Sequence, residues 1–120
     1  MSKIWLDDKR PAPDGYIWVE TVGAAIYEIM YREREIDIAF KQYILEGLDW
    51  ERAATRLKTY YITEISCDND LGDGEAEGYK LLNWLEATCR NYPIHIHTAN
   101  PVAAERMREI IERNKWKEVL

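Results

Sequence analysis

The sequence predicts a single α/β domain in which the strands of a parallel sheet alternate with helices. Short apolar runs rich in strand-forming residues recur along the chain and are separated by segments in which apolar residues follow helical spacing. Three of these runs stop abruptly at polar residues. Strands that alternate with helices indicate βαβ units with right-handed crossovers. We therefore expect a three-layer sandwich with a flavodoxin-like strand order and a mostly parallel sheet of four or five strands.

The first two predicted strands are close together in the sequence. Residues 3–6 are a short apolar run that ends at Asp7 and Asp8. Residues 9–15 contain two prolines and a glycine, a composition typical of a loop. Residues 16–19 then read as the second strand.

A long helical passage follows the second strand. Thr21 is the predicted N-cap of a helix whose apolar residues share one face: Val22, Ala25, Ile26 and Ile29. Further helical spacing over residues 36–43 and a predicted N-cap at Asp49 extend the passage to Tyr60. A simple crossover needs about a dozen residues. We therefore expect a crossover helix plus a helical insertion over about residues 35–60.

The second half of the chain continues the alternation of strand and helix. A third strand ends at the acidic run 68–70, and a glycine-rich loop follows it. Asn100 is a natural N-cap and Pro101 a natural first helical residue. The predicted elements are a strand over 61–67, a helix over 79–88, a strand over 93–97, a helix over 101–114 and a short final strand within 116–120.

Length and charge restrict the classes of function. The 120 residues suit one domain, and 22 acidic against 16 basic residues give a net charge of −6. A negative field repels a nucleic-acid backbone, so binding to duplex DNA is not expected. No apolar run is long enough for a membrane span and no signal peptide is recognisable, so we expect a cytoplasmic protein. Cys67 and Cys89 are expected to be buried free thiols.

Acidic residues at two strand ends predict a metal site. In a flavodoxin-like sheet the first and third strands are neighbours, and ligands bind beyond their carboxyl ends. Asp7, Asp8, Asp68 and Asp70 would then converge. Clustered carboxylates repel one another unless a cation neutralises them, and Mg²⁺ or Mn²⁺ would hold a substrate phosphate there. Acids after strands can instead cap the next helix or lie in a solvated turn.

The polar residues after the fourth strand suggest how a phosphate would be handled. His97 is the candidate for proton transfer, with Asp68 and Asp70 as further catalytic residues. Thr98 and Asn100 are expected to contact phosphate oxygens at the N-terminus of the last helix. His95 is expected to be structural. The first loop contains two basic residues, Lys9 and Arg10. They are expected either to bind phosphate or to lie in a solvated loop.

Several blocks of the sequence resemble the cyclic-phosphate-processing receiver-like domains. The blocks are Lys-Ile-Trp-Leu-Asp-Asp-Lys-Arg-Pro-Ala-Pro-Asp-Gly at 3–15, Ile-Ser-Cys-Asp-Asn-Asp-Leu-Gly at 65–72, Gly78-Tyr79, Ile-His-Ile-His-Thr-Ala-Asn-Pro at 94–101, and the region of Met107. The resemblance implies a receiver-like fold and a role in processing cyclic phosphates on nucleotides, including RNA ends. It also implies that Asp7, Asp8 and Asp68 hold a metal ion.

The resemblance has departures that leave alternatives open. Where the family usually has Leu and His at the third strand, this chain has Cys67 and Asn69, and an amide cannot transfer protons as His does. Either His97 then carries the acid–base role alone or catalysis is lost, and Asn69 is expected to contact substrate. The Lys that follows the fifth strand of signalling receivers has no clear counterpart. A metal-dependent cyclic-phosphate hydrolase is the leading hypothesis. The alternatives are a non-catalytic module that binds a nucleotide or a protein partner, and a degenerate receiver phosphorylated on Asp68.

Overall fold

The computed structural model describes residues 2–120 and contains one sheet of five parallel strands in the order β2-β1-β3-β4-β5. The expected α/β class, parallel sheet and flavodoxin-like order are confirmed. In chain order the elements are β1 (Ser2–Leu6), β2 (Tyr16–Val19), α1 (Val22–Leu45), α2 (Trp50–Leu57), a 3-10 turn (Lys58–Tyr60), β3 (Ile62–Cys67), α3 (Tyr79–Ala87), β4 (Ile94–Ile96), α4 (Pro101–Asn114) and β5 (Glu118–Val119).

One face of the sheet is covered by helices, and we call it the covered face. Side chains alternate between the faces of a strand, and those on this face are almost all aliphatic. Buried residues of α1, α3 and α4 pack against them to form the core. The strand residues in this core include Ile4, Leu6, Val19, Ile65, Cys67 and Ile94.

The opposite face, which we call the open face, has a different composition. Its side chains are Lys3, Trp5, Tyr16, Trp18, Glu64, Ser66, His95 and His97. Within residues 2–120, these side chains make hydrogen bonds and ring contacts with one another, with the backbone of neighbouring strands and with the loop 7–15. None of these hydrogen bonds or ring contacts joins them to a helix. The sheet therefore has one helical layer, where a three-layer sandwich was expected.

Crossover direction explains the missing second layer. The connections from β2 to β3, β3 to β4 and β4 to β5 all step the same way along the sheet, and right-handed crossovers in one direction place their helices on one face. Only the step from β1 to β2 runs the other way. Its residues 7–15 form a loop without a helix, so no helix is delivered to the open face.

The long helical passage consists of one extended helix and a short second one. The two patterns expected to form a crossover helix and an insertion belong to the continuous helix α1, and α2 packs against it. Only the first turns of α1 are buried, through Val22, Ala25 and Ile29. Beyond Ile29 the residues of α1 are half-buried or exposed. The molecule measures 51 × 28 × 23 Å. Within residues 2–120 no helix combines the length and apolar character needed to cross a bilayer.

Three predicted helix caps are confirmed. The side chains of Thr21, Asp49 and Asn100 each accept a hydrogen bond from the backbone N–H three residues later, at 2.9–3.1 Å. Each satisfies an N–H that has no partner within its helix. The cap at Asn100 fixes the start of α4 at the same sheet edge as the acidic strand ends.

The two cysteines differ in burial. Cys67 is a buried free thiol, as expected, and burial with the nearby Asp68 charge raises its pKa to about 12. The expectation for Cys89 is wrong, because that side chain is exposed. Cys89 lies just beyond α3 with a φ of 56°. In this left-handed position at the helix end, its side chain points away from the core.

Candidate metal and phosphate site

The acidic residues after β1 and β3 lie side by side because these strands are neighbours. Leu6 pairs with Cys67 in the sheet, and the backbone N–H of Asp68 donates to the Leu6 carbonyl at 2.9 Å. The next residues, Asp7 and Asp68, therefore leave the sheet at one edge. The structure brings Asp7, Asp8 and Asp68 together as predicted, whereas Asp70, which was expected to converge with them, is exposed and lies outside this group.

Asp7 is fully buried and holds the first loop in place. Its Oδ1 accepts the backbone N–H groups of Lys9 and Arg10, both at 2.9 Å. Its Oδ2 accepts Arg10 Nε at 2.8 Å and lies 3.1 Å from His97 Nε2. Burial raises the pKa of Asp7, but these hydrogen bonds and the Arg10 charge outweigh it and lower the pKa below its ordinary value. Asp7 is therefore ionised near neutral pH.

Three carboxylates form a compact group that could hold a divalent cation. One oxygen from each of Asp7, Asp8 and Asp68 lies within 4.8 Å of the others. Asp8 Oδ1 is buried and has no hydrogen-bond partner in the part of the chain described. A buried oxygen without a partner is costly, and oxygen ligands of this kind suit Mg²⁺ or Mn²⁺. The residues present therefore fit the expected metal ion.

Arg10 supplies positive charge to this group. Its Nε contacts Asp7 at 2.8 Å, and its NH2 group lies 3.3 Å from Asp68 Oδ1. About half of the Arg10 side chain is exposed. Arg10 therefore screens the repulsion between the carboxylates while part of it stays accessible from solvent.

His97 is held between the acidic group and the open face. Its Nδ1 lies 2.7 Å from Ser66 Oγ, and its ring stacks on Trp5 with centroids 3.9 Å apart and planes inclined by 6°. Burial lowers the pKa of His97, and the hydrogen bond to Asp7 only partly opposes this. The ring is therefore neutral near pH 7. With Asp7 ionised, Nε2 carries the ring proton and Nδ1 accepts from the Ser66 hydroxyl.

The side chain of Asn69 is surrounded by protein groups that it hydrogen-bonds. It is fully buried, and its amide nitrogen donates to Asp70 and Glu77 at 3.2 and 3.1 Å. Its Oδ1 accepts the N–H of Tyr79 at 3.1 Å, at the start of α3. The side chain therefore ties the loop after β3 to α3. Its expected contact with substrate stays a prediction.

The other predicted site residues lie around this group. Asp70 is exposed and outside the three-carboxylate group, and its Oδ1 accepts from Asn69. Thr98 Oγ1 accepts the N–H of Asn100 at 3.2 Å, and Asn100 caps α4. The Lys9 side chain is exposed. Catalytic roles for Asp68 and Asp70, and phosphate contacts for Thr98, Asn100, Lys9 and Arg10, stay predictions.

Three residues that contact the site were not predicted from the sequence. Ser66 and Trp5 hold His97, and Trp18 Nε1 donates to the backbone carbonyl of Asp7 at 2.6 Å. The sequence could have indicated Trp5 and Ser66, because they lie two residues before Asp7 and Asp68 and therefore share a strand face with these acids. Their proximity to His97 depends on strand pairing.

Comparison with known proteins gives the family. The model of the cyclic-phosphate processing receiver domain matches residues 44–113, more than half of the chain. The chain belongs to this family of receiver-like domains associated with cyclic-phosphate processing. The matched range includes Asp68, Asn69 and His97, whereas Asp7 and Asp8 precede it. Neither among curated proteins nor among solved structures was a match found.

Proposed function

We propose that the chain is a divalent-metal-dependent phosphohydrolase that opens cyclic phosphates, either in cyclic nucleotides or at 2′,3′-cyclic phosphate ends. The family supplies the association with cyclic-phosphate processing. The observation that most supports hydrolysis is the grouping of Asp7, Asp8 and Asp68 around a buried Asp8 oxygen without a partner. This grouping adjoins a neutral histidine.

In this proposal Asp7, Asp8 and Asp68 hold Mg²⁺ or Mn²⁺. When bound, such a cation polarises a phosphoryl oxygen and activates water. The chain itself positions the ligands: β1 and β3 fix the acids at one edge, and His97 with the loop N–H groups fixes the Asp7 carboxylate. Ligands held in this way need little rearrangement during the reaction.

The reaction consumes one water molecule. The water oxygen forms a bond to phosphorus, one of the two ring P–O ester bonds breaks, and the water proton ends on the freed oxygen. The product is a phosphate monoester with a neighbouring hydroxyl. In the proposal His97 takes up this proton at Nδ1, by way of the Ser66 hydroxyl, and returns it, while the Asp7 charge at Nε2 stabilises the imidazolium form.

Groups at the same edge would bind the substrate phosphate. Arg10 is half exposed beside the acids and can donate to phosphoryl oxygens. The N-terminus of α4, capped by Asn100, presents backbone N–H groups and a favourable helix dipole to an anion. Thr98 and Lys9 flank these two elements.

The test is turnover of a panel of 2′,3′-cyclic and 3′,5′-cyclic nucleotides by the full chain with Mg²⁺ or Mn²⁺. We expect a phosphate monoester product, measured by chromatography, and no product when the cation is chelated. Asp68→Asn should lower the rate at least about 100-fold if Asp68 is a metal ligand.

Asp73→Asn is the matched control, because Asp73 is an exposed acid of the loop after β3 outside the three-carboxylate group. It should leave the rate unchanged. Circular dichroism would establish that both variants are folded. Intact substrates after incubation with either cation would overturn the hydrolase proposal.

A second candidate function is a non-catalytic module that captures a nucleotide. Two observations favour it: the Asn69 amide is engaged by protein groups, and Arg10 already neutralises the acids. Calorimetry separates the two functions. Ligand binding without turnover favours the module, whereas turnover excludes it.

A further inference from the structure

The open face of the sheet is unsuited to covering by a helix. Helices pack on sheets through aliphatic side chains, as on the covered face. The open face instead presents aromatic rings, two imidazoles and a lysine on four adjacent strands. Planar rings on an open sheet suit stacking with planar ligands, as in sheets that bind single-stranded nucleotides.

Trp18 is the accessible aromatic side chain of this face. Its residue is 43% exposed, although it lies beside Trp5 in the β1–β2 register. Its indole N–H donates to the Asp7 carbonyl at 2.6 Å, which fixes the ring orientation. A ring held in place loses little conformational entropy when a ligand stacks on it.

Trp18 and the acidic group are directly connected. The residue whose carbonyl anchors the indole, Asp7, also places its carboxylate in the proposed metal site. Trp5 continues the aromatic surface to His97 on the other side. A stacking surface and a phosphate site thus adjoin at one edge of the sheet.

The open face also carries one lysine, Lys3, which lies opposite Glu64 in the β1–β3 register. Lys3 Nζ lies 5.3 Å from the centre of the Tyr16 ring. The Tyr16 hydroxyl donates to Glu64, which holds the Tyr16 ring against its strand neighbours. The face therefore combines fixed aromatic rings with one lysine and one glutamate, whose charges offset each other.

We propose that the open face binds the nucleobase of the substrate, with Trp18 as the stacking residue, while the phosphate lies at the acidic group. This inference rests on the proposed function and restricts its substrates to cyclic phosphates that carry a nucleobase. A nucleotide joins base and phosphate through one sugar, so it can reach both surfaces. Cyclic phosphates without a base would use only the acidic group.

The test compares binding of two phosphate monoesters that differ in the base, adenosine 3′-phosphate and ribose 3-phosphate. Calorimetry with the full chain and Mn²⁺ measures both affinities without requiring turnover. Stacking on one aromatic side chain is expected to make the adenosine ligand bind about 10- to 100-fold more tightly. Trp18→Leu should remove most of this preference, measured as the ratio of the two affinities within the variant, because any effect of the lost indole hydrogen bond to Asp7 falls on both ligands alike. Trp18→Phe, which keeps a ring, should retain part of the preference.

Trp50→Leu is the matched control. Trp50 is 74% exposed on α2 and contacts Phe40, away from the sheet. This variant should keep the full preference for the adenosine ligand. An unchanged ratio of the two affinities in Trp18→Leu would show that the indole does not stack on the base and would overturn the inference.

The outcomes distinguish the two proposals. Turnover of cyclic nucleotides together with equal binding of both monoesters would overturn base stacking and leave hydrolysis intact. Base-dependent binding without turnover would support the open face and overturn hydrolysis. A partner protein or a second copy on this face would appear as protection of Trp18 in the absence of nucleotide, and that result would also overturn the inference.

Discussion

Gly78 shows how closely the acidic strand end is packed at the scale of single residues. A Cβ at this position would lie 1.8 Å from the Asp68 carbonyl oxygen and 3.0 Å from Asn69 Cα. Gly78 N–H also donates to the Asn69 carbonyl at 2.8 Å. The backbone after β3 and the start of α3 therefore approach each other more closely than any side chain allows.

We predict that Gly78→Ala destabilises the protein. The new methyl group meets backbone rather than a flexible side chain, so the loop that carries Asp68 must shift. We expect a loss of about 2–3 kcal/mol, or roughly a 10 °C lower unfolding temperature in calorimetry. Gly23→Ala in α1 is the control, because its nearest neighbour is 4.0 Å away. It should be neutral or stabilising. Equal unfolding temperatures for the two variants would contradict the prediction.

The candidate site could be predicted from the sequence to the extent that it depends on strand ends. Asp7, Asp8 and Asp68 follow adjacent strands, so topology alone brings them together. The contact of Arg10 with both acids depends on the path of the loop 7–15, which no periodicity encodes. The burial of Asn69 depends in the same way on the close approach of Gly78.

At the scale of elements, a charged contact joins α3 to α4. Glu86 near the end of α3 accepts hydrogen bonds from Arg113, at 2.6 and 2.7 Å, and from Asn114. These contacts lower the pKa of Glu86 from 4.5 to about 2. The two helices lie side by side on the covered face, so the contact stabilises their packing.

We predict that this contact makes stability depend on pH in the acidic range. The folded-state pKa lies below the ordinary value, so the contribution is complete above about pH 4.5 and is lost as pH falls towards 2. Glu86→Gln should therefore unfold at a slightly lower temperature than the wild type at pH 7, because solvent screens much of an exposed ion pair. The difference should shrink between pH 4.5 and pH 2. A difference that is constant over this range would contradict the prediction.

The strands were predictable because their apolar runs are short and end sharply, and all five occur in the structure. The continuity of α1 could not be predicted from the sequence. Only its first turns are buried, so the apolar spacing weakens beyond Ile29 and resumes as a separate pattern. A helix that leaves the sheet has no buried face to keep its periodicity in register.

At the scale of the whole molecule, stability should respond to the cation. A ligand that binds only the folded state raises the free energy of unfolding, by about 2.7 kcal/mol at 100 times its dissociation constant. We expect Mn²⁺ to raise the unfolding temperature by several degrees. Asp8→Asn should abolish this rise. It should also stabilise the cation-free protein, because it removes one of three neighbouring negative charges.

Arg10→Ala is the complementary variant. It should lower the unfolding temperature without the cation, because Asp7 and Asp68 lose their positive partner. The rise with Mn²⁺ should then be larger than in the wild type. Identical rises in the wild type, Asp8→Asn and Arg10→Ala would show that the acidic group does not bind the cation.

The number of helical layers was predicted less well than the strand order, because one layer was found where two were expected. The strand order and parallel pairing follow from alternation, but the number of helical layers depends on which connections contain a helix. Residues 7–15 contain none.

That single loop has two effects. By spanning β1 and β2 without a helix it leaves Trp18 uncovered, and by turning back on Asp7 it brings Arg10 to the acids. If this segment were long enough to form a helix, it would cover the aromatic surface and would also move the Arg10 guanidinium away from the acids. Access to the sheet and the electrostatic balance at its edge are therefore governed by the same stretch of backbone.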